Sequence, residues 1–390
     1  MNSSNKTEPT ALPTTPILPP ATIGIIAGGQ LGRMMGIAAR QMGYKLAVLE
    51  PGKESPLAQI ADIEINTAYD DRVGLEELLV ISDVVTYEFE NIPYAAIEEV
   101  VAADFGYLPQ GHQPLKITQN RLREKDSVVE SGFKTAPYAD VSDEPKLRAA
   151  LDEIGYPSIL KTVSGGYDGK GQWRLASEAD LPEALEVIKH AECILEGFVP
   201  FDKEISVIVA RSTTGEVKTF PIFENEHVGG ILHLTSIPAQ ISDELAARAH
   251  TLAKELIANL DLVGTLAIEM FVAGDELLVN EMAPRPHNSG HLTIDACNVS
   301  QFEQHLRAVC GLPLLDVEIV RPAVMVNLLG QHIDYAVSKW KTAEFAQGYL
   351  HLYGKDENVR DRKVGHITFC NEDIPTLQET VTSFLRDFPI

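Results

Sequence analysis

Positive charge is scarce in this chain of 390 residues. It has 32 lysines and arginines against 56 aspartates and glutamates, which gives a formal net charge of −24 at pH 7. A surface that binds nucleic acid or an anionic membrane needs a broad positive potential, so the composition argues against both kinds of partner. We expect anionic small-molecule substrates to be bound by local clusters of basic residues instead.

Cysteines and long apolar runs are also scarce. The four cysteines lie far apart without a C-x-x-C spacing, which indicates neither a disulfide framework nor a zinc site. No apolar run approaches the roughly 20 residues that a bilayer span requires. Residues 1–21 are rich in Pro, Thr, Ser and Asn and lack the pattern of a secretion signal, so we predict a disordered tail. These features favour a reducing cytoplasm.

Short apolar strands, the last of them near Phe105 to Leu108, alternate with helices from Thr22 to about Gln119. This alternation predicts a doubly wound parallel sheet with ligands at the carboxyl ends of its strands. The glycine turn Gly28–Arg33 follows the first predicted strand, but its spacing is not G-x-G-x-x-G, so it indicates a dinucleotide site only weakly. Its backbone N–H groups could still approach a substrate phosphate. Glu88, at the same edge, either faces a ligand or is an ordinary strand-end acid.

A glycine-rich segment lies between two further predicted strands. Residues 164–172 contain four glycines within seven positions. The backbone amides of such a flap can cover phosphates. A plain glycine-rich hairpin loop is the alternative, but Lys161 and Lys170 stand near either end and favour the phosphate interpretation.

Two apolar runs, Leu266–Val272 and Leu277–Met282, predict a β-hairpin. We predict a helix before it, Asp243–Asn259, and another after it, Ile294–Cys310. A three-residue loop centred on Asp275 would place Glu269 directly opposite Glu281 on one face, because side chains alternate along strands. Facing carboxylates repel each other unless a cation lies between them, and hard oxygen ligands suit Mg²⁺.

An amphipathic hairpin with a solvated acidic face is the alternative for the same pair. Asn280 stands beside Glu281, and the run Pro284–Asn288 follows at once with an arginine, a histidine and an asparagine. These side chains bind anions and carry protons. Their position at the end of the hairpin favours a metal-nucleotide site.

A basic cluster near the C-terminus stands out in so acidic a chain. Its members are Tyr353-Gly354-Lys355, Arg360, Arg362, Lys363 and His366. A charge run is usually a solvated loop. Here we favour a phosphate-binding site, and the residues alone leave open whether Arg360 or Arg362 contacts the phosphate.

With these motifs assembled, the chain resembles the ATP-grasp family, and within it the N5-carboxyaminoimidazole ribonucleotide synthetases, from about Ile23 to Phe369. The motifs that carry the resemblance are Gly28–Met34, Gly165–Gln172, Glu196–Val199, Asn280–Arg285, His287–His291, Tyr353–Lys355 and Arg362–His366. The resemblance implies an α/β fold with an N-terminal doubly wound parallel-sheet domain (22–119), an ATP-grasp domain (120–310, with a flap-bearing subdomain at about 134–205) and a small C-terminal α+β domain (311–390).

The resemblance also implies roles for individual residues. On the nucleotide side it implies that Arg121 and Lys161 contact the phosphates and that Glu204 binds the ribose, with His227 and Asn280 nearby. The flap would consist of Gly166, Tyr167, Asp168, Gly169, Lys170, Gly171 and Gln172. The adenine would be bound by Glu196, Gly197, Phe198 and Val199. Mg²⁺, or Mn²⁺ in its place, would be held by Glu269 and Glu281. The ribonucleotide and bicarbonate would contact Gln30, Leu31, Glu88, Tyr167, Asp168, Arg285, His287, Asn288, Lys355 and Arg362, with Asp168, Arg285 and His287 in catalytic roles.

The implied reaction uses ATP and bicarbonate to carboxylate aminoimidazole ribonucleotide, with carboxyphosphate as intermediate, and the family implies a homodimer. Three alternatives remain on sequence grounds. The first is another ATP-grasp ligase, such as a formate-using glycinamide ribonucleotide transformylase. The second is an NAD-dependent oxidoreductase, suggested by the unit from Thr22 to Glu50, and the third is a non-catalytic nucleotide-binding module.

Overall fold

The computed structural model describes residues 15–166, 170–355 and 359–389. The N-terminal unit is a parallel sheet flanked by helices, which confirms the predicted class. Its elements are β1 (Thr22–Ile26), α1 (Gln30–Met42), β2 (Lys45–Leu49), β3 (Ile63–Ile65), α2 (Arg72–Ile81), β4 (Val84–Tyr87), α3 (Tyr94–Ala102) and α4 (Gln113–Thr118). The strand order is β3–β2–β1–β4. Parallel strands bring the glycine turn after β1 and the acids after β4 to one edge.

Two expectations for this unit were wrong in detail. The strand expected near residues 105–108 does not form; one hydrogen bond, from Val85 N–H to the Tyr107 carbonyl (2.8 Å), joins this segment to β4. The end of the expected tail is ordered, because Ile17 packs on the N-terminal core and its N–H donates to the Cys310 carbonyl at 2.9 Å. The Ile17 carbonyl accepts a hydrogen bond from the Tyr44 hydroxyl at 2.7 Å.

The second unit is a four-stranded antiparallel sheet that carries the glycine-rich segment. Its elements are α5 (Arg121–Glu130), β5 (Tyr138–Val141), α6 (Glu144–Ile154), β6 (Ser158–Thr162), β7 (Gln172–Leu175), α7 (Leu181–Val187) and β8 (Cys193–Gly197). The strand order is β5–β8–β6–β7. Lys161 pairs with Gln172 across β6 and β7, so the glycine-rich segment is the connection of a hairpin.

The third sheet has nine strands and extends through the C-terminal part of the chain. Its elements, with the helices between them, are β9 (Lys203–Arg211), β10 (Val217–Thr219), β11 (Phe223–Val228), β12 (Ile231–Ile237), α8 (Asp243–Asn259), β13 (Gly264–Ala273), β14 (Glu276–Ala283), α9 (Thr293–Ala296), α10 (Gln301–Val309), β15 (Ala323–Leu329), α11 (Ile333–Trp340), β16 (Tyr349–Leu352), β17 (Lys363–Cys370) and α12 (Ile374–Leu385). The order is β14–β13–β9–β11–β12–β15–β17–β16, with β10 beside β9. The C-terminal strands therefore continue the sheet that bears the acidic hairpin.

Local sequence explains most of these boundaries. The helix expected over 294–310 is two helices, α9 and α10, because Ser300 begins the second by accepting a hydrogen bond from Glu303 N–H (3.1 Å). Helix α8 places Leu252 and Leu256 against Ile268 of the large sheet. Burying each such side chain contributes roughly 1.5–3 kcal/mol. This packing fixes the back of the sheet whose other side carries the acidic pair.

Among the residues that the structure describes, no helix combines the length and the apolar character needed to cross a membrane.

Candidate active site

Two adjoining cavities collect most of the residues singled out by the sequence. The inter-sheet cavity, between the four-stranded and nine-stranded sheets, is lined by Arg121, Lys161, Gln172, Glu196, Gly197, Phe198, Val199, Glu204, His227, Glu269, Asn280, Glu281, His287 and Asn288. The domain cavity, between the N-terminal unit and the end of the hairpin, is lined by Gln30, Leu31, Glu88, Gly166, Glu281, Arg285, His287, Asn288, Lys355 and Arg362. Glu281, His287 and Asn288 belong to both linings.

Two of the predicted flap residues that the structure describes line neither cavity. Lys170 and Gly171 lie outside both linings. Tyr167, Asp168 and Gly169 lie outside the described residues, so their roles stay predictions. Gly171 has φ of 71°, and a Cβ there would lie 2.7 Å from the Thr162 hydroxyl, which explains why this position is glycine.

The acidic pair forms as predicted, although the turn and the strand register differ from the prediction. Glu269 and Glu281 are direct partners across β13 and β14, but Ala273 pairs with Glu276, so the turn has two residues and not three. A register shift between Glu269 and Met270 restores the pairing. A bulge of this kind places an extra residue on one strand, and here it turns Asn280 into the inter-sheet cavity.

Both carboxylates line the inter-sheet cavity, which favours a site over the solvated-face alternative. The Glu269 side chain is 17% exposed and that of Glu281 is 43% exposed. Burial, together with the charge of Glu281, raises the pKa of Glu269 to about 7. Arg121 Nη1 lies 3.3 Å from Glu281 Oε2, and His287 Nε2 lies 3.4 Å from Glu269 Oε1. Two close, partly buried carboxylates beside an amide oxygen form a donor set that fits Mg²⁺.

A buried ion network lies at the neighbouring wall of the same cavity. Glu196 Oε2 lies 2.9 Å from Lys161 Nζ and 3.3 Å from Lys125 Nζ. Burial alone would raise the pKa of Glu196, but the two lysines outweigh it and lower that pKa. The Glu196 carboxylate therefore holds the lysines in place. Lys125 carried no sequence signal of its own.

Aromatic side chains complete this wall, and two of them were missed in the sequence. Phe201 and Phe271 stack with ring centroids 4.7 Å apart and line the inter-sheet cavity beside Phe198. The sequence could have predicted Phe271, because side chains alternate along a strand and Phe271 shares a face with Glu269. This apolar slot suits a flat heterocycle.

Glu204 and His227 form the far side of the inter-sheet cavity. His227 Nδ1 lies 2.8 Å from Glu204 Oε2. Burial lowers the pKa of His227, but the hydrogen bond to Glu204 and the charge of Glu269 outweigh it, so the pKa is raised. The pair can present both a hydrogen-bond acceptor and a positively charged donor to hydroxyl groups.

The glycine turn of the N-terminal unit has its amides occupied. Gly32 N–H donates to Glu88 Oε2 (2.7 Å), Gly29 N–H donates to Glu88 Oε1, and Gly28 N–H donates to Glu50 Oε2 (2.8 Å). Carboxylates thus occupy these three amides, and the expectation that the amides of this turn approach a phosphate stays a prediction. Burial raises the pKa of Glu88. Glu88 fixes the turn, and its contact with a ligand stays a prediction.

Arg285 and His287 stand between the two cavities. The Arg285 guanidinium pairs with Glu90, a residue that sequence reasoning did not single out. Burial, with the positive charge of Arg285, lowers the pKa of His287 well below its ordinary value. His287 is therefore a neutral imidazole at pH 7 that can accept a proton. Its Nδ1 lies 3.0 Å from the Ser289 hydroxyl, which orients the ring.

The residues of the basic cluster do not all line the same cavity. Lys355 and Arg362 line the domain cavity together with Lys363, which also lines the inter-sheet cavity. Arg360 lines a separate cavity beside His332 and Phe388. The geometry thus favours Arg362 over Arg360, as the resemblance implied.

Comparison with known proteins places this geometry in a family. Models of the ribonucleotide synthetase preATP-grasp domain, the ATP-grasp domain and the phosphoribosylaminoimidazole carboxylase C-terminal domain match residues 20–119, 126–302 and 323–380. N5-carboxyaminoimidazole ribonucleotide synthase of Bacillus subtilis (strain 168) is 49% identical over 357 residues, which cover 91% of this chain and 93% of that protein. The chain belongs to the N5-carboxyaminoimidazole ribonucleotide synthase family.

Solved structures of the family agree with this assignment. A crystal structure of an N5-carboxyaminoimidazole ribonucleotide synthetase in complex with ADP is 53% identical, with a TM-score of 0.92 and coverage of 95% of this chain and 98% of that one. The Aspergillus clavatus enzyme in complex with ADP and 5-aminoimidazole ribonucleotide is 30% identical, with a TM-score of 0.86 and coverage of 94% and 98%. The chain is thus an ATP-grasp ligase in fold and family.

Proposed function

We propose that this chain uses ATP to carboxylate 5-aminoimidazole ribonucleotide with bicarbonate, giving N5-carboxyaminoimidazole ribonucleotide, ADP and phosphate. The observation that carries the proposal is the shared wall of the two cavities, formed by Glu281, His287, Asn288 and Lys363. A nucleotide in one cavity and a ribonucleotide in the other would meet there. The family relatives named for this reaction, and the complex of one of them with ADP and the ribonucleotide, support the same arrangement.

The reaction has two chemical stages, and each needs charged residues near the reacting groups. In the first stage a bicarbonate oxygen attacks the γ-phosphorus of ATP, the bond to ADP breaks and carboxyphosphate forms. An anion must approach a polyanion, so nearby cations are needed to offset repulsion. Arg121 and Lys161 line the nucleotide side, and Lys363 lines the wall that both substrates share.

In the second stage the exocyclic amine attacks the carboxyl carbon, the bond to phosphate breaks and the amine loses a proton. His287 is our candidate to accept that proton, because it lies in both cavity linings and its lowered pKa leaves the imidazole neutral at pH 7. Arg285, held by Glu90, places a fixed positive charge beside the reacting carboxyl group. Asp168 stays a second candidate on sequence grounds.

Glu269 and Glu281 would hold Mg²⁺, or Mn²⁺ in its place, with Asn280 beside them. When bound, the ion would neutralise charge on the nucleotide phosphates. The raised pKa of Glu269 supports this assignment, since a neighbouring cation relieves the repulsion that raises it.

We further propose a cytoplasmic homodimer. Val73 and Val80, on one face of α2, are 73% and 68% exposed. Two apolar side chains seven residues apart on a helix suit a partner surface. Light scattering of the purified chain would give the mass of a dimer, and a monomer at all concentrations would contradict this part.

The test of the function is an ADP-release assay with 5-aminoimidazole ribonucleotide, with and without bicarbonate. We expect ribonucleotide-dependent ADP release that rises with bicarbonate, together with a carboxylated product. ADP release that requires formate and glycinamide ribonucleotide would support the transformylase alternative. ATP binding without turnover under any acceptor would support the binding module, and nicotinamide fluorescence on binding would support the oxidoreductase.

A further inference from the structure

A second cluster of metal-ligating side chains lies outside both cavities. Asp295 comes from α9, and His351 and His366 come from β16 and β17. One donor atom of each residue lies within 4.8 Å of the other two. None of the three lines the inter-sheet or the domain cavity, so the cluster is distinct from the Glu269 and Glu281 pair.

Strand pairing brings the two histidines together. His351 and His366 are direct partners across β16 and β17, so their side chains project from the same face of the sheet. Their rings stack with centroids 4.5 Å apart and an interplanar angle of 18°. Asp295 reaches the pair from α9, with Oδ2 and Oδ1 at 2.9 and 3.2 Å from His351 Nε2.

His366 supplies the observation that points to a ligand. Its side chain is fully buried, and its Nε2 has no hydrogen-bond partner among the described residues. Its Nδ1 lies 2.9 Å from the Tyr353 hydroxyl. In the tautomer with the proton on Nδ1, that proton is donated to Tyr353 and Nε2 presents a lone pair. A buried, unpaired ring nitrogen is costly unless something binds it.

The chemistry of the donors selects the ion. Two neutral imidazoles and a carboxylate are typical ligands of Zn²⁺ and related divalent transition metals, and a water completes a tetrahedral site. The Tyr353 hydroxyl orients the His366 ring, as outer partners commonly do at metal sites.

The three donors differ in exposure. The Asp295 side chain is 6% exposed and that of His351 is 30% exposed, whereas His366 is fully buried. Ligand atoms of one tetrahedral zinc ion lie about 3.3 Å apart, as its bond lengths require. The donor atoms of this cluster lie within 4.8 Å of one another, which is close to that spacing.

We propose that Asp295, His351 and His366 bind one divalent transition-metal ion, best matched by Zn²⁺, at a site separate from the Mg²⁺ site. The ion would join α9, which follows the His287–His291 segment, to the strands that lead to Lys355 and Lys363. It would therefore stabilise the frame of the domain cavity without touching the reacting groups. In the simpler alternative, Asp295 only orients His351.

The test is a zinc titration of the full chain with a chromophoric chelator as competitor and saturating Mg²⁺ present to occupy the acidic pair. We expect one zinc equivalent in the unmodified chain, and a loss of affinity of about a hundredfold in Asp295→Asn and in His351→Gln. Zn²⁺ should raise the melting temperature of the unmodified chain and not of these variants. Bound Co²⁺ should give the intense visible absorbance of tetrahedral coordination.

His190→Gln is the matched control, because His190 is exposed and also lies 3.2 Å from a carboxylate, that of Glu186. It should bind zinc as the unmodified chain does. Circular dichroism without metal would show that each variant is folded. Zinc affinity equal in the unmodified chain and in Asp295→Asn and His351→Gln, or no bound zinc in the unmodified chain, would overturn the proposal.

Discussion

Glu269 Oε1 lies 3.4 Å from Nε2 of His287, and Glu269 is paired with Glu281 across β13 and β14. His287 is held neutral by burial and by the charge of Arg285, so it does not offset the negative charge of Glu269. The acidic pair thus stores a repulsion that a proton or a metal ion can relieve. This relationship links the stability of the protein to pH.

We expect the contribution of Glu269 to the free energy of unfolding without Mg²⁺ to fall as pH rises from about 5 to 8. The folded-state pKa of Glu269, about 7, is above its ordinary value, so the folded protein binds the proton more tightly than the unfolded chain does. Stability from such a carboxyl group is present at low pH and is lost as pH rises through the folded pKa, by up to about 3 kcal/mol. Urea unfolding at several pH values would measure this loss of stability.

Glu269→Gln is the comparison for this effect, since the amide cannot ionise. The variant should show a smaller decline in the free energy of unfolding between pH 5 and 8. Mg²⁺ should restore stability at pH 8 only in the chain that has Glu269. An identical slope in the variant would mean that another group titrates.

Glu281→Gln should retain the fold and lose ribonucleotide-stimulated ATP hydrolysis. The substitution removes one of two metal-binding carboxylates and the partner of Arg121. Losing a group that stabilises charge in the transition state commonly costs about 10²–10³ in rate. ADP release at saturating substrates would be measured beside the melting temperature. Near-normal turnover in a folded variant would remove the metal assignment.

Lys355→Ala should chiefly raise the KM for the ribonucleotide, by about tenfold, because Lys355 lines the domain cavity and a charge-assisted contact is worth about 1.5–3 kcal/mol. The KM for ATP should change little. Steady-state kinetics with each substrate varied in turn would separate the two effects.

Arg360→Ala is the matched control for that substitution. Arg360 belongs to the same basic stretch of sequence but lines a different cavity. It should leave both KM values near those of the unmodified chain. An effect of Lys355→Ala confined to ATP, or equal effects of the two variants, would contradict the assignment of the domain cavity.

Sequence patterns predicted the acidic pair and the parallel sheet because both rest on local rules. Alternation along strands placed Glu269 opposite Glu281, although the loop length was wrong by one residue and a bulge at Asn280 compensated for it. Strand and helix alternation likewise predicted the N-terminal sheet, and helix α8 was predicted with its observed boundaries. Periodicity and turn residues report directly on such features.

The missed features depend on contacts between distant parts of the chain. Glu90 meets Arg285 across 195 residues of sequence, and Glu88 occupies amides of a glycine turn that precedes it by 59 residues. No local pattern distinguishes these acids from ordinary strand-end acids. Phe201 joins the aromatic slot only because β13 lies beside β9, and that adjacency is a property of the sheet order.

Phe271→Ala should weaken nucleotide binding while sparing the ribonucleotide. Phe271 stacks on Phe201 at 4.7 Å in the inter-sheet cavity, and loss of one aromatic face from a stack costs about 0.5–1.5 kcal/mol beyond the lost area. The KM for ATP should rise about tenfold or more. Phe271→Tyr, which keeps the ring, should remain close to the unmodified chain.

Glu124→Gln should be tolerated, whereas Glu124→Ala should destabilise the protein. Glu124 Oε1 accepts a hydrogen bond from Met282 N–H at 2.6 Å, beside the metal-binding Glu281. Burial, with the charge of Glu281, raises the pKa of Glu124 to about 8, so this carboxyl group is largely protonated and neutral at pH 7. Glutamine reproduces a neutral acceptor of similar size, but alanine leaves the Met282 N–H unsatisfied, which costs about 1–3 kcal/mol.

Urea unfolding at pH 7 would compare the two variants, and the KM for ATP would report on the position of Glu281. A Glu124→Gln variant as unstable as Glu124→Ala would show that the carboxylate is needed in its charged form. In that case Arg121, which also faces Glu124, would be the group that requires it, and the acidic hairpin would depend on a buried ion pair and not on a neutral hydrogen bond.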